Sequence, residues 1–334
     1  MDLSKYSHKI FTLPPPGFES LALDIFRFQY SNNPVYRDYT DALHVNASLV
    51  QSITQIPFLP IRFFKSHKVY IPGNEPMAIF ESSGTTGTIN SRHYVQDTHL
   101  YKESFTNGFE LFYGPVKDWC IIGLLPSYLE RGNSSLVYMV NELISKSGHT
   151  DSGFYLHDHE QLFSLLTSLE KAGQKTMLIG VTFALLDFAE KYQLSLNHTI
   201  VMETGGMKGR RKEMIRQEVH DILQKAFGVS SIHSEYGMTE LLSQAWSKGD
   251  GMFQCPPWMK IVIRDEEDPL AIRITNSPQT KPITGAINVI DLANIWSCSF
   301  IATDDAGKLH KDGSFEVLGR MDNSDLRGCS LLTV

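Results

Sequence analysis

Met77-Ala78-Ile79-Phe80-Glu81-Ser82-Ser83-Gly84-Thr85-Thr86-Gly87-Thr88 is the stretch around which this chain is organised. Residues 77–80 read as a short apolar strand, and every residue after Glu81 is Ser, Thr or Gly. Such a loop suits phosphate. Glycine lets the backbone approach a polyphosphate closely and adopt positive φ, while hydroxyls and consecutive amides supply donors without bulk. It is not a Walker A loop, which needs four residues between its glycines and then Lys-Ser or Lys-Thr. Here Gly84 and Gly87 are three apart and no lysine follows. A polar surface turn is the plain alternative for a Ser/Thr/Gly cluster taken alone.

The other 300-odd residues set the context. A chain of 334 residues, 42% hydrophobic and 20% charged, can bury one large core or two domains and folds without staples. A formal charge of −7 leaves no basic field of the kind that nucleic-acid binding needs, so nucleic acid is not an expected partner. Residues 1–16 hold no continuous apolar run and carry Asp2, Lys5 and His8, and no stretch of about 18 apolar residues offers a membrane span. A cytoplasmic protein is expected. Cys120, Cys255, Cys298 and Cys329 lie far apart, with no Cys-x-x-Cys pair or Cys/His cluster at metal spacing, which argues against a disulfide framework and a zinc site.

Along the chain, residues 18–45 show apolar positions at helical spacing (Leu21, Ile25, Phe28, then Tyr36, Tyr39, Leu43) with a break at Asn32-Asn33-Pro34. Helix and strand patterns then alternate. Helices are predicted over 97–113, 136–146, 160–172, 183–192 and 212–227, and strands over 119–125, 153–156, 177–181, 199–202 and 231–235. That beat predicts an α/β fold with a mainly parallel sheet flanked by helices, whose ligands bind at the carboxyl ends of the strands. From about residue 252 the texture changes to short β-type runs separated by Asp, Pro and Gly turns, read as a small C-terminal β-rich unit.

Five separated motifs fit one pattern: residues 82–88, Glu203-Thr204-Gly205-Gly206, Tyr236-Gly237-Met238-Thr239-Glu240, Thr303-Asp304-Asp305-Ala306-Gly307 and Gly319-Arg320-Met321-Asp322. In that order the set resembles the core motifs of the adenylate-forming superfamily of acyl-CoA synthetases, luciferases and peptide-synthetase adenylation domains. The resemblance spans about residues 82–329, and the ordered set is far more specific than any one motif. It implies the large N-terminal domain of such enzymes over residues 1–320. It also implies ATP and Mg²⁺ as cofactors, with Ser83, Thr85, Thr86 and Gly87 holding the β and γ phosphates, Thr239 bonding the α-phosphate and Glu240 ligating Mg²⁺. By the same resemblance Gly205, Gly206 and Tyr236 belong to the nucleotide site, while Asp304 and Arg320 meet the ribose. The chemistry is consistent. A carboxylate becomes reactive once AMP replaces a hydroxide-like leaving group, and charge developing on the α-phosphate calls for donors and a metal.

Two departures narrow the resemblance. Many relatives carry a lysine after the Gly-rich loop, where this chain runs Thr88-Ile89-Asn90-Ser91-Arg92-His93. The superfamily also continues past Gly-Arg-x-x-Asp into a C-terminal domain with a catalytic lysine, whereas residues 321–334 read as a truncated hinge and tail. Together with the Leu125-Pro126-Ser127-Tyr128-Leu129-Glu130-Arg131-Gly132 segment, these features look like the LuxE-type acyl-protein synthetases. That resemblance implies activation of a fatty acid or similar carboxylate with ATP and capture of the acyl group on a cysteine near the C-terminus, here Cys329. An acyl reductase or acyl-carrier protein would be the next partner. Two alternatives stay open: a short acyl- or aryl-adenylating ligase that delivers to coenzyme A or a carrier protein, and a degenerate nucleotide- or acyl-binding scaffold without turnover.

Overall fold

The computed structural model describes residues 9–12, 14–73, 75–83, 89–126, 130–205, 214–265, 268–273 and 281–321. It begins with two helices, α1 (Phe18–Asn32) and α2 (Pro34–Ala42), split where Asn33 takes extended backbone, caps α2 by accepting from the Tyr36 amide, and is followed by a proline at the first helical position. A two-residue strand β1 (Leu59–Pro60) and a single helical turn α3 (Phe63–Ser66) follow. Next come β2 (Ala78–Glu81) and β3 (Arg92–Val95), which pair antiparallel as a separate two-stranded sheet.

The α/β beat expected from the sequence is present. The helices α4 (Thr98–Tyr113), α5 (Ser135–Ser147), α6 (His159–Ala172), α7 (Thr182–Lys191) and α8 (Arg216–Phe227) alternate with β4 (Cys120–Leu124), β5 (Gly153–Phe154), β6 (Thr176–Gly180), β7 (Thr199–Glu203) and β8 (His233–Tyr236). Asp97, Ser134 and Asp158 cap three of the helices through side-chain oxygens, and Gly148, Gly173 and Gly228 end three in left-handed backbone. Strands β4 and β6 are buried at every position, as strands covered by helices on both faces must be.

Strands β5, β4, β6, β7 and β8 run parallel in that spatial order. At β8 the direction rule changes. Its other neighbour, β9 (Ala245–Ser247), is antiparallel, and the same sheet continues antiparallel through β10 (Met252–Gln254), β15 (Phe315–Arg320), β14 (Phe300–Leu309), β13 (Ile283–Asp291), β11 (Met259–Arg264) and β12 (Ile272–Arg273). The C-terminal β-rich unit is thus hydrogen-bonded into the parallel sheet, and its antiparallel run starts at Ala245. The Pro-rich 56–60 segment packs as an edge, with Leu59 and Pro60 beside Ile301 and Ala302 of β14. Among the described residues no helix is long and apolar enough to cross a membrane.

Close strand packing at the β14–β15 bulge depends on a missing side chain. A Cβ at Gly307 would lie 2.7 Å from the Glu316 carbonyl oxygen and 2.6 Å from Ile287 Cδ1. Gly307→Ala should therefore lower stability by about 1–3 kcal/mol, the usual cost of overpacking, read as a fall in Tm or in the urea midpoint. An unchanged midpoint would mean that the sheet yields there freely.

Candidate active site

The loops that leave the carboxyl ends of the parallel strands converge. Val181 follows β6, Thr204 and Gly205 follow β7, and residues 237–240 follow β8; all line one cavity of about 500 Å³. Ligands of open α/β sheets bind outside the carboxyl ends of the strands, where this cavity lies. The opposite wall comes from Glu81, Ser82 and Ser83 at the end of β2, and from Thr303, Asp304, Asp305 and Arg320 on β14 and β15. Of the residues singled out in the sequence, Ser83, Gly205, Thr239, Glu240, Asp304 and Arg320 line this cavity together. Tyr236 stands behind it and donates from its hydroxyl to Asp305 Oδ2 at 2.9 Å. Thr85, Thr86, Gly87, Gly206 and Cys329 lie outside the described residues.

Each wall is held by backbone groups. Glu81 N donates to Asn133 O (2.8 Å), Ser82 N to Ser91 O (3.0 Å) and Ser91 N to Ser82 Oγ (2.9 Å), so the mouth of the Ser/Thr/Gly stretch is clamped before it begins. Arg92 Nε meets Glu81 Oε1 at 2.9 Å across the β2–β3 pair. At the far side, β14 carries two adjacent aspartates that both line the cavity, where the β13–β14 register is irregular. Asp304 pairs with Arg62 at 3.2 Å, whereas Asp305 stands opposite Arg320 in the β14–β15 register and accepts from Tyr236. Burial raises the Asp305 pKa, and the Tyr236 hydroxyl and the Arg320 charge act against that rise.

Glu240 is 4% exposed. Burial raises its pKa, countered by the Ser91 hydroxyl and by the charges of Arg320 and Lys65. Its backbone is fixed from below. His93 is fully buried, with Nδ1 2.9 Å from Thr239 O and Nε2 3.0 Å from Asn294 Oδ1, and Asn294 Nδ2 donates to Glu240 O at 2.8 Å. Both acceptors facing the ring are oxygens, so they favour the imidazolium; burial opposes it more strongly and brings the His93 pKa down to about 4. On the next residues, Asp291 accepts from Leu242 N and Ser243 N at 2.7 and 3.0 Å.

The sequence comparisons bear on this geometry. The family described as "Acyl-protein synthetase, LuxE" matches residues 15–333. The chain belongs to the LuxE acyl-protein synthetase family. No curated protein matches it significantly in sequence. Among solved structures, ATP-bound MatB from Rhodopseudomonas palustris superposes with a TM-score of 0.53 at 17% identity, covering 75% of this chain and 49% of that one. A 2-hydroxyisobutyryl-CoA ligase in a postadenylation state gives a TM-score of 0.61 at 12% identity, covering 94% of this chain and 70% of the ligase. The chain spans about half the length of MatB, and at these identities the likeness is one of fold. A mixed α/β core with this strand order is therefore the adenylate-forming type of fold in a LuxE-family chain.

Sequence reasoning passed over several residues of the LuxE-family cavity: Asp305, Glu235, Gln244, Tyr101, Ser91 and Arg131. Asp305 sits inside the motif at residues 303–307, and Glu235 stands immediately before the motif at residues 236–240. Nothing local in the sequence says that either reaches the cavity. His93 was noted solely as part of a departure from the superfamily pattern, and nothing in the sequence pairs it with residues 239 and 294.

Neutral His93 carries one N–H, so removing the ring takes a donor from either the Thr239 carbonyl or Asn294 Oδ1 in a buried place. His93→Leu should cost about 1–3 kcal/mol of stability. The checks are thermal melting and a comparison of His93→Leu with His93→Gln, whose amide can restore one donor and should recover part of the loss. Equal melting of all three proteins would remove His93 from the support of this loop.

Proposed function

We propose that the protein activates a fatty acid or similar carboxylic acid with ATP as an acyl-adenylate and passes the acyl group to a cysteine thiol, first its own Cys329. The observation that carries this reading is the convergence of Ser83, Gly205, Thr239, Glu240, Asp304 and Arg320 on one cavity at the carboxyl ends of the parallel strands in a LuxE-family chain. In the first step a carboxylate oxygen attacks the α-phosphorus and the bond to pyrophosphate breaks. In the second the thiol sulfur attacks the acyl carbon, AMP leaves, and the thiol proton is released.

The chain's own groups have distinct tasks in this scheme. Ser83, followed by Thr85, Thr86 and Gly87, supplies donors for the β and γ phosphates. Thr239 bonds the α-phosphate where negative charge grows, and its loop is pre-set by His93 and Asp291, so little reorganisation accompanies the reaction. Asp304 or its neighbour Asp305 accepts from the ribose hydroxyls, with Arg320 opposite. Gly205, at φ 76° with nothing within 4 Å of a notional Cβ, keeps a bare backbone on the nucleotide side together with Gly206.

Glu240 also fits an Mg²⁺ site. It is a buried carboxylate on the cavity wall, and no group of three His, Cys, Asp or Glu side chains gathers among the described residues. That suits an ion bound by one carboxylate and the substrate phosphates. When bound there, Mg²⁺ supplies positive charge at the phosphate oxygens.

The described cysteines are poor acyl acceptors. Burial pushes the thiol pKa up to about 11 for Cys120 and about 12 for Cys255 and Cys298. Since the thiolate is the nucleophile, none is poised at neutral pH. Cys329 follows Arg327 by two residues, and a tethered thiol gains effective concentration against an enzyme-bound adenylate. From there the acyl group would pass to an acyl reductase or acyl-carrier protein.

Glu240→Gln should keep the fold and lose most carboxylate-dependent pyrophosphate exchange, because an amide cannot supply the charge that a metal clamp worth several kcal/mol requires. Wild-type exchange in that variant at saturating Mg²⁺ would reject the assignment. For the second step, protein incubated with ATP, Mg²⁺ and labelled fatty acid should carry label that neutral hydroxylamine releases. Cys329→Ala should abolish the label while exchange continues; a fully labelled variant would exclude Cys329.

A further inference from the structure

The acyl end of the cavity is not uniformly apolar. Glu235 is the third residue of β8, between the buried Ser234 and Tyr236, and its side chain lines the cavity. Among the described residues its carboxyl has no hydrogen-bond partner. Burial, with Glu203 adding to it, lifts its pKa to about 8. Glu203 Oε1 accepts from Gly205 N at 2.7 Å and from the Thr182 hydroxyl.

A second polar side chain comes to the same place. Gln244 is 5% exposed, lines the cavity, and its Oε1 is buried without a partner among the described residues. The two meet over Gly237. A Cβ on that glycine would collide with Glu235 Oε1 and lie 3.3 Å from Gln244 Cγ, so the absence of a side chain makes room for both. The apolar residues Leu136, Met139 and Val181 line the same cavity, as does Tyr101, whose hydroxyl is committed to Ser135 O at 3.0 Å.

We propose that these apolar residues receive the acyl part of the substrate, and that the substrate is a carboxylic acid bearing a hydroxyl group that bonds the Glu235 carboxyl and Gln244 Oε1. The inference rests on the reading of the cavity as an acid-activating site and narrows its substrate class. Gln244 Oε1 is an acceptor that needs a donor, and a carboxyl can accept or, when protonated, donate, so together they match a hydroxyl, which donates to the one and exchanges a hydrogen bond with the other. A plain saturated chain would cover the two groups and leave them unpaired, the situation that sites built around a hydrogen bond discriminate against most strongly.

The test uses pairs of acids of equal chain length, with and without a hydroxyl group, in carboxylate-dependent pyrophosphate exchange. Wild-type protein should favour the hydroxyl-bearing member by about tenfold or more in kcat/KM. Glu235→Leu should collapse or invert that ratio with the KM for ATP unchanged, Glu235→Gln should keep most of it, and Gln244→Leu should reduce it. A wild-type ratio of one or less, or a ratio that Glu235→Leu does not move, overturns the proposal. So does a raised KM for ATP with the acid ratio intact, which would assign the carboxyl to the nucleotide. Should no acid support exchange, the acid-activating reading itself fails, and the pocket is read by thermal shift with the same acids. Stronger stabilisation by hydroxyl-bearing acids that is lost in Glu235→Leu would still uphold the pocket chemistry. Equal or absent stabilisation would overturn it.

Discussion

The carboxylate of Asp291 is the constraint on which the rest of the site depends. It is fully buried at the end of β13 and accepts from Leu242 N, Ser243 N, Ser243 Oγ and Ala293 N at 2.5 to 3.1 Å. One acidic side chain thereby ties the segment after Glu240 to the turn that begins at residue 292. Burial raises the Asp291 pKa, and these donors hold against the rise. A charge in such a place is tolerable only when its lone pairs are filled, which is why the donors come from rigid backbone. The same turn is gripped from the other side by Gln29 of α1, whose amide bonds Asn294 O, Ile295 O and Ser299 Oγ, and by Asn33, which bonds Ser297 O. The N-terminal helices thus hold the turn that supports the loop after β8, through polar contacts separated by more than 260 positions in sequence.

Placing the loop at β8 follows from the sheet. A purely parallel sheet would carry the chain over a helix after β8, whereas here the next strand returns antiparallel and residues 237–244 form the bend. That bend lies at the carboxyl ends of the parallel strands and beside β14. Strand ends from both halves of the sheet therefore supply opposite walls of one cavity, and the distance between the walls is set by sheet pairing.

Much of this was legible in the sequence. The helical and extended segments from residue 97 to 236 follow from periodicity and from caps such as Asp97, Gly148 and Gly173, because those are local preferences. Ser83, Gly205, Thr239, Glu240 and Arg320 reach the cavity because they sit at or just past strand ends, whereas Asp304 reaches it from within β14. What was not legible depends on phase and on partners far along the chain. Strand β3 was passed over because Arg92-His93-Tyr94-Val95 has no alternating apolar pattern, its only exposed member being Arg92. The choice between Asp304 and Asp305 turns on a register that shifts at the Ala306/Gly307 bulge. Glu235 and Gln244 look like ordinary polar neighbours of a motif until Gly237 brings them together.

The hydrogen bond between Tyr236 and Asp305 shows how such a cavity keeps its shape. Tyr236 ends the last parallel strand, Asp305 lies mid-way along β14, and the bond spans the two halves of the sheet at 2.9 Å. Around the phenol, Phe253 and Phe315 pack edge-on at 5.9 and 5.5 Å, so the ring has no room to rotate away. Burial lifts the Tyr236 pKa far above its ordinary range, keeping the hydroxyl a donor at any pH the fold survives. The bond fixes an acidic side chain beside Arg320 before any ligand arrives. Preorganisation of this kind is what lets dipoles and charges act on a developing phosphate charge without first being rearranged. Polar residues that look expendable one at a time are, in this chain, the geometry of the site.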